Sequence, residues 1–122
     1  MNEIYSSVLA LIPAYNASET VAEVVRHLKA LDPSLEVLVV DDGSSDGTGD
    51  VARLAGARVI RHDRNRGKGA ALRTGFEEFL RGSWKALVTL DADGQHSPDE
   101  VPRLIEAWKT TGADIVIGER KK

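Results

Sequence analysis

The sequence predicts an α/β fold, a three-layer α/β/α sandwich built on a mostly parallel sheet. Three observations lead there. Apolar runs at residues 8–12, 37–40 and 86–90 lack period-2 alternation, as expected for strands covered on both faces. Segments with helical spacing alternate with these runs. Each run ends in a polar cluster, and open α/β sheets bind ligands beyond the carboxyl ends of their strands.

Taken in order, the first strand is Val8, Leu9, Ala10, Leu11 and Ile12, with Pro13 expected to stop it. Asn16 and Glu19 have the spacing of a capping box. Val21, Val24, Val25, Leu28 and Leu31 then share one helical face, and Asp32-Pro33 ends the helix. A second strand, 37–40, runs into Asp41 and Asp42. A short helix follows over 49–55 with Gly56 as its stop, then a weaker third strand over 57–60. The next helix, about 68–80, is expected to turn Ala71, Leu72, Phe76, Phe79 and Leu80 inward and to end at Gly82. The fourth strand, 86–90, feeds Asp91 and Asp93. Ser97, Pro98 and Glu100 form a helix start with an N-cap, a proline at N1 and a capping glutamate. That helix is expected to reach Thr110 and stop at Gly112, before a fifth strand over 114–117.

Composition narrows the classes. A chain of 122 residues makes one domain, and 42% apolar residues supply a core. A net charge of −3 gives no reason to expect a nucleic-acid partner. The absence of cysteine excludes disulfides and thiolate metal sites. No apolar run approaches the roughly 18 residues that span a bilayer, and the first residues lack the features of a signal peptide. The expected setting is cytoplasmic.

Four clusters carry chemistry. Asp91 and Asp93 stand two apart at a strand end, so they point to one side if the backbone stays extended. Two close carboxylates repel, and a hard cation such as Mg²⁺ or Mn²⁺ relieves the repulsion. Gln95 continues the series and can add a carbonyl oxygen. The other reading is a polar turn after a buried strand. Asp41 and Asp42 either accept hydrogen bonds from a bound base or ribose, or cap the turns that follow. The stretch from Arg61 to Gly69 is basic and glycine-rich and opens a helix, a setting that suits an anion and puts Lys68 near it. It is not a P-loop, since His62 stands where the first glycine would be. A solvated basic turn is the alternative. Tyr15 either stacks on a base or wedges between loops, and His62 and His27 read as surface or packing residues. Gly47, Gly49 and Ala52 also fit a dinucleotide-binding pattern. Asp41, Asp42, Asp46 and Asp50 would repel a pyrophosphate there, and the acidic residue expected downstream is missing.

Four motifs stand in order: Ile12-Pro13-Ala14-Tyr15-Asn16, Val39-Val40-Asp41-Asp42-Gly43-Ser44-Ser45-Asp46-Gly47-Thr48, Asn65-Arg66-Gly67-Lys68-Gly69-Ala70-Ala71-Leu72, and Leu90-Asp91-Ala92-Asp93-Gly94-Gln95-His96-Ser97-Pro98. Together they closely resemble glycosyltransferase family 2 with the GT-A fold, and within it the polyprenyl-phosphate, or dolichyl-phosphate mannosyltransferase, branch. The resemblance implies metal-dependent, inverting transfer of a sugar from a GDP- or UDP-sugar to a polyprenyl phosphate at a membrane surface. It implies that Pro13 and Tyr15 line the base pocket, with Val39 and Asp41 nearby. Asp91 and Ala92 would contact the donor, and Asp93 and Gln95 would hold Mg²⁺ or Mn²⁺. Arg120 would contact donor phosphate, with Lys68 assisting through the basic loop. Family members continue well beyond this length, so residues 1–122 are expected to form the donor-binding half, with nucleotide binding stronger than turnover. A non-catalytic donor-binding scaffold and a sugar nucleotidyltransferase stay open as other classes. Pairing with a second copy across a bare sheet edge stays open as well.

Overall fold

The computed structural model describes residues 3–93, 100–111 and 115–117. A short 3₁₀ segment, Glu3–Ser7, leads into β1 (Val8–Ala14). Then follow α1 (Val21–Leu31), β2 (Glu36–Asp41), α2 (Thr48–Leu54), β3 (Arg58–Arg61), α3 (Lys68–Arg81), β4 (Ala86–Thr89), α4 (Glu100–Thr111) and β5 (Ile115–Ile117). Among the described residues the strands form one sheet in the order β3-β2-β1-β4-β5, and every neighbouring pair is parallel. The chain winds outward from β1 through β2 to β3, then crosses back to β4 and β5. The direction of winding therefore reverses between β1 and β4, which is where an open sheet leaves a crevice at its carboxyl edge.

Side-chain alternation along the strands splits the interior in two. Val8, Ala10, Ile12, Val37, Val39, Ala86 and Val88 face α1, α2 and α4, meeting Val21, Val25, Leu28, Ala52, Val101 and Ile105. Leu9, Leu11, Leu38, Val40 and Leu87 face α3, meeting Ala71 and Phe79. Both faces of the sheet are thus covered, which is why the strand sequences show no alternation. Each Leu or Val fully withdrawn from water contributes about 1.5–3 kcal/mol.

Three expectations need correction. Pro13 does not stop β1, which continues to Ala14 with Pro13 in register with Val40. Leu11 accepts from the Leu90 amide, so Pro13, two residues on, turns its nitrogen toward β4 as well. The β1–β4 ladder already ends at Leu11 and Thr89, so the missing N–H forfeits no sheet bond. Leu80 lies outside the core at 78% exposure. The inward line of α3 runs through Ala71, Gly75, Glu78 and Phe79, and Leu80 falls one position round the helix. Asn16 and Glu19 do not cap α1, which begins at Val21 behind Thr20 without a side-chain cap. The helix start at Ser97 and Pro98 and the stop at Gly112 lie outside the described residues; α4 itself is present from Glu100. Among the described residues no helix is long and apolar enough to cross a membrane.

Candidate functional site

The carboxyl ends of β1, β2 and β4 and the start of α3 enclose a cavity of about 350 Å³. Each wall comes from one of the sequence clusters. β1 and its exit supply Pro13 and Tyr15, and the exit of β2 supplies Asp42. The basic loop supplies Asn65, Gly67 and Lys68, and the exit of β4 supplies Asp91, Ala92 and Asp93. Tyr15 is half exposed at the rim, an orientation available for stacking.

Side chains tie these loops to one another. Asn16 adopts a positive φ of 48°. Its amide donates to Ser44 Oγ at 2.8 Å, and its side-chain oxygen accepts from the Ser45 amide at 3.0 Å. The Ala17 amide donates to Thr48 Oγ1 at 2.9 Å, so the exits of β1 and β2 are stitched together. Thr20 Oγ1 donates to the Ala92 carbonyl at 2.7 Å, tying the start of α1 to the turn that carries the two carboxylates.

Asp46 belongs to the same stitching. It accepts from the amides of Ser18 and Thr48 and from the Thr48 hydroxyl. The Thr48 hydroxyl above all, against a smaller opposing effect of desolvation and then helped by Ser18, pulls its carboxyl down to about 2. A carboxyl depressed on folding adds stability above its unfolded value, near 3.8, and loses it as pH falls toward 2. Asp46→Asn is therefore expected to be less stable than the parent at pH 5, with the gap closing between about pH 4 and 2. Denaturant midpoints across that range measure it; a gap independent of pH would show that the carboxylate's charge plays no part.

The two consecutive acids of β2 diverge. Asp41 is fully buried, accepts from the amides of Ser44 (3.0 Å) and Gly49 (3.1 Å), and has Arg61 Nε 3.8 Å away. It closes the turn into α2 and does not line the cavity. Val39 lies two residues earlier on the same side, wholly inside the α1/α2/α4 core, and does not line the cavity either. Asp42, on the opposite side, does. Burial would raise its carboxyl, but a hydrogen bond from His62 and backbone bonds from Arg66 and Gly67 hold it below the ordinary carboxylate range. His62 is buried and bonded to Asp42 and Thr74, the packing alternative rather than the surface one. His27 is exposed, as expected.

The condition set for strand alternation, an extended backbone past Leu90, is not met: β4 ends at Thr89, and Ala92 and Asp93 lie in a turn. The turn, rather than strand alternation, brings Asp91 and Asp93 to the same cavity. Lys68 Nζ donates to Asp91 Oδ1 at 3.0 Å, and Asp93 is exposed. This arrangement fits a hard divalent cation. Carboxylate oxygens are the right donors, and Asp91 already draws a positive group to the cavity wall. Among the described residues no group of three or more His, Cys, Asp or Glu side chains gathers to hold a metal. A cation here would complete its shell with water and ligand oxygens, as Mg²⁺ and Mn²⁺ commonly do. Gln95 and Arg120 lie outside the described residues.

Pro13, Tyr15, Lys68, Asp91, Ala92 and Asp93 thus meet in one cavity, while Val39 and Asp41 stand outside it. Sequence reasoning undervalued Asp42 and missed the tethers Thr20 and His62, whose partners lie far along the chain.

Comparison with known proteins agrees with this architecture. A family model described as "Glycosyl transferase family 2" matches residues 10–122. The undecaprenyl-phosphate mannosyltransferase of Micrococcus luteus is 42% identical over 119 residues, covering 93% of this chain and 48% of the relative. The polyprenol monophosphomannose synthase of Mycolicibacterium smegmatis is 42% identical over 118 residues, covering 92% and 44%. The chain spans about half the length of the curated relatives it matches. Among solved structures, glucosyl-3-phosphoglycerate synthase of Mycobacterium tuberculosis, in complex with Mn²⁺, UDP-glucose and phosphoglyceric acid, superposes with a TM-score of 0.69 at 26% identity. That match covers 90% of this chain and 43% of the other.

Proposed function

The chain belongs to glycosyl transferase family 2, and on that premise we propose that its cavity binds the donor, a nucleotide-diphospho-sugar, with Mg²⁺ or Mn²⁺. The observation that carries this reading is the convergence of Lys68, Asp91 and Asp93 with Tyr15 at the point where the winding of the sheet reverses. A nucleoside diphosphate needs an apolar or aromatic surface for the base, cations for the diphosphate and acceptors for hydroxyls. The cavity offers all three: Pro13 and Tyr15 at the exit of β1, Lys68 at the start of α3, and the carboxylates Asp42, Asp91 and Asp93 at the exits of β2 and β4. The whole protein is proposed to transfer the sugar to a polyprenyl phosphate, the acceptor class in the names of the bacterial relatives. The M. tuberculosis complex with UDP-glucose supports UDP as the first nucleotide to probe, with GDP as the second.

Each residue then has a task. Tyr15 and Pro13 cover the base. Asp91, Asp93 and Gln95 would hold the divalent cation, which would offset charge on the departing diphosphate. Lys68 and Arg120 would place positive charge along the phosphates; without donor, Lys68 donates to Asp91. An acceptor phosphate is already ionised near neutral pH, so attack from the face opposite the leaving group calls for orientation more than for a strong base.

Calorimetric titration of UDP and GDP, with and without Mn²⁺, tests the reading. Binding that depends on Mn²⁺ is expected for at least one nucleotide; the absence of Mn²⁺-dependent heat with both overturns it.

A further inference from the structure

His62 lies outside the donor cavity, yet both of its ring nitrogens are engaged. Its ring is buried at the foot of the basic loop. Nδ1 lies 2.8 Å from Asp42 Oδ1, and Nε2 lies 2.8 Å from Thr74 Oγ1 in the second turn of α3. Its own amide donates to the Asp41 carbonyl at 2.9 Å, which fixes the base of the side chain. An ionised carboxylate only accepts, so Nδ1 carries the hydrogen it shares with Asp42. Thr74 Oγ1 is also 3.1 Å from the Ala70 carbonyl. The hydroxyl either donates to Nε2, or donates to Ala70 and accepts from a second ring N–H. In both arrangements the imidazole is a strut between α3 and the carboxyl end of β2.

The strut bears on one group. Asp42 Oδ1 also accepts from the Arg66 amide at 2.9 Å, and Oδ2 accepts from the Gly67 amide at 2.8 Å. Those amides belong to the two residues that immediately precede Lys68 at the start of α3. Gly67 holds a φ of 100° there, and although its carbonyl accepts from the Ala71 amide, the amides of Arg66 and Gly67 are met by the Asp42 side chain. A chain of contacts therefore runs Thr74, His62, Asp42, Arg66 and Gly67, Lys68, Asp91. Asp42 on its own has two free torsions. A buried donor on Oδ1 leaves it one orientation in which both amides are met.

We propose that His62 is a positioning residue for the donor cavity. Acting through Asp42, its Nδ1–H sets where the Arg66 and Gly67 amides sit, and with them the reach of Lys68 toward Asp91. The consequence for affinity rests on the cavity being the nucleotide site; the consequence for the loop does not.

His62→Asn and His62→Gln separate the two ring nitrogens. The asparagine amide nitrogen can replace Nδ1 against Asp42, whereas the glutamine amide reaches the position of Nε2. Amide hydrogen exchange is followed by NMR at Arg66 and Gly67, with Leu38 in the centre of β2 as the reference for an intact fold. H62N is expected to keep exchange within about two-fold of the parent, and H62Q to speed it at both amides by about ten-fold or more, since only a local opening is involved. UDP and GDP titrations with Mn²⁺ on the same samples are expected to show affinity retained in H62N and weakened about ten-fold in H62Q. Equal behaviour of the two variants at Arg66 and Gly67 overturns the proposal, because it would make the ring a space-filler. If H62Q does not fold, H62N decides alone: protection kept supports the strut, and protection lost in a folded H62N refutes it. A parent that binds neither nucleotide, with the contrast in exchange intact, refutes the nucleotide reading and leaves the strut standing.

Discussion

Asp93→Asn is expected to abolish the Mn²⁺ dependence of UDP or GDP binding while leaving the fold unchanged. Asp93 is exposed in the turn after β4, so the substitution removes a charge without opening a cavity in the core. Asp91 differs, because one of its oxygens already accepts from Lys68. With Asp93 neutralised, the remaining carboxylate faces an ammonium and offers little to a second cation. Loss of one charged oxygen ligand from a site that takes so few from the protein is expected to weaken Mn²⁺-supported nucleotide affinity about 100-fold, at the upper end of what ligand-shell changes cost. Weak binding without metal should persist, since Lys68 and Tyr15 are untouched. The measurement is calorimetry of each nucleotide at several Mn²⁺ concentrations, with thermal unfolding as the control. Unchanged Mn²⁺ dependence in a folded Asp93→Asn would remove Asp93 from the metal site.

How far the sequence could foresee this site depended on the range of the interaction involved. The buried strands were legible because parallel strands covered on both faces leave an unbroken apolar run, and α1 because Val21, Val24, Val25 and Leu28 repeat with the helix. The same local rules misjudged Asn16. Its spacing to Glu19 suits a cap, but the Ser45 amide, 29 positions away in sequence, competes for the same oxygen and wins. His62 was illegible for the same reason: nothing near it in sequence announces Asp42 or Thr74 as partners. Asp41 and Asp42 show a different limit. Consecutive residues of a strand face opposite sides, so a register of one decides which acid sees the cavity and which closes the turn into α2. Val40 faces α3 and Val39 faces α1, and that phase carries Asp42 to the cavity and Asp41 away from it. Motif likeness placed Val39 and Asp41 near the base. Alternation carried past the end of β2 brings Asp42, and not Val39 or Asp41, to the cavity.

The same turn makes Gly43 the position where one methyl group should do the most damage. Gly43 follows Asp42 with a φ of 73°, in the left-handed region. A Cβ built there would overlap the backbone of Arg64 and Asn65 and stand 2.7 Å from Arg64 Cα. Neither clash can be relieved by rotating a side chain, because the groups struck are main chain. The left-handed conformation costs an alanine about 1–2 kcal/mol and overpacking adds about 1–3, so Gly43→Ala is expected to lose about 3 kcal/mol. For a domain whose total stability is about 5–15 kcal/mol, that is a large fraction. The relief open to the chain is to push residues 64–65 outward. Those residues lead directly to the Arg66 and Gly67 amides on Asp42, so nucleotide affinity should fall with stability. Gly69→Ala is the matched control. It lies in the first turn of α3, and a Cβ there meets nothing within 4 Å. Helix propensity alone should make it neutral or stabilising by up to about 1 kcal/mol. Urea unfolding of both variants decides the matter. A Gly43→Ala protein within about 0.5 kcal/mol of the parent would mean that the loop from Arg64 yields easily. It would then be too soft to hold Lys68 and the amides of α3 in a fixed relation to Asp91.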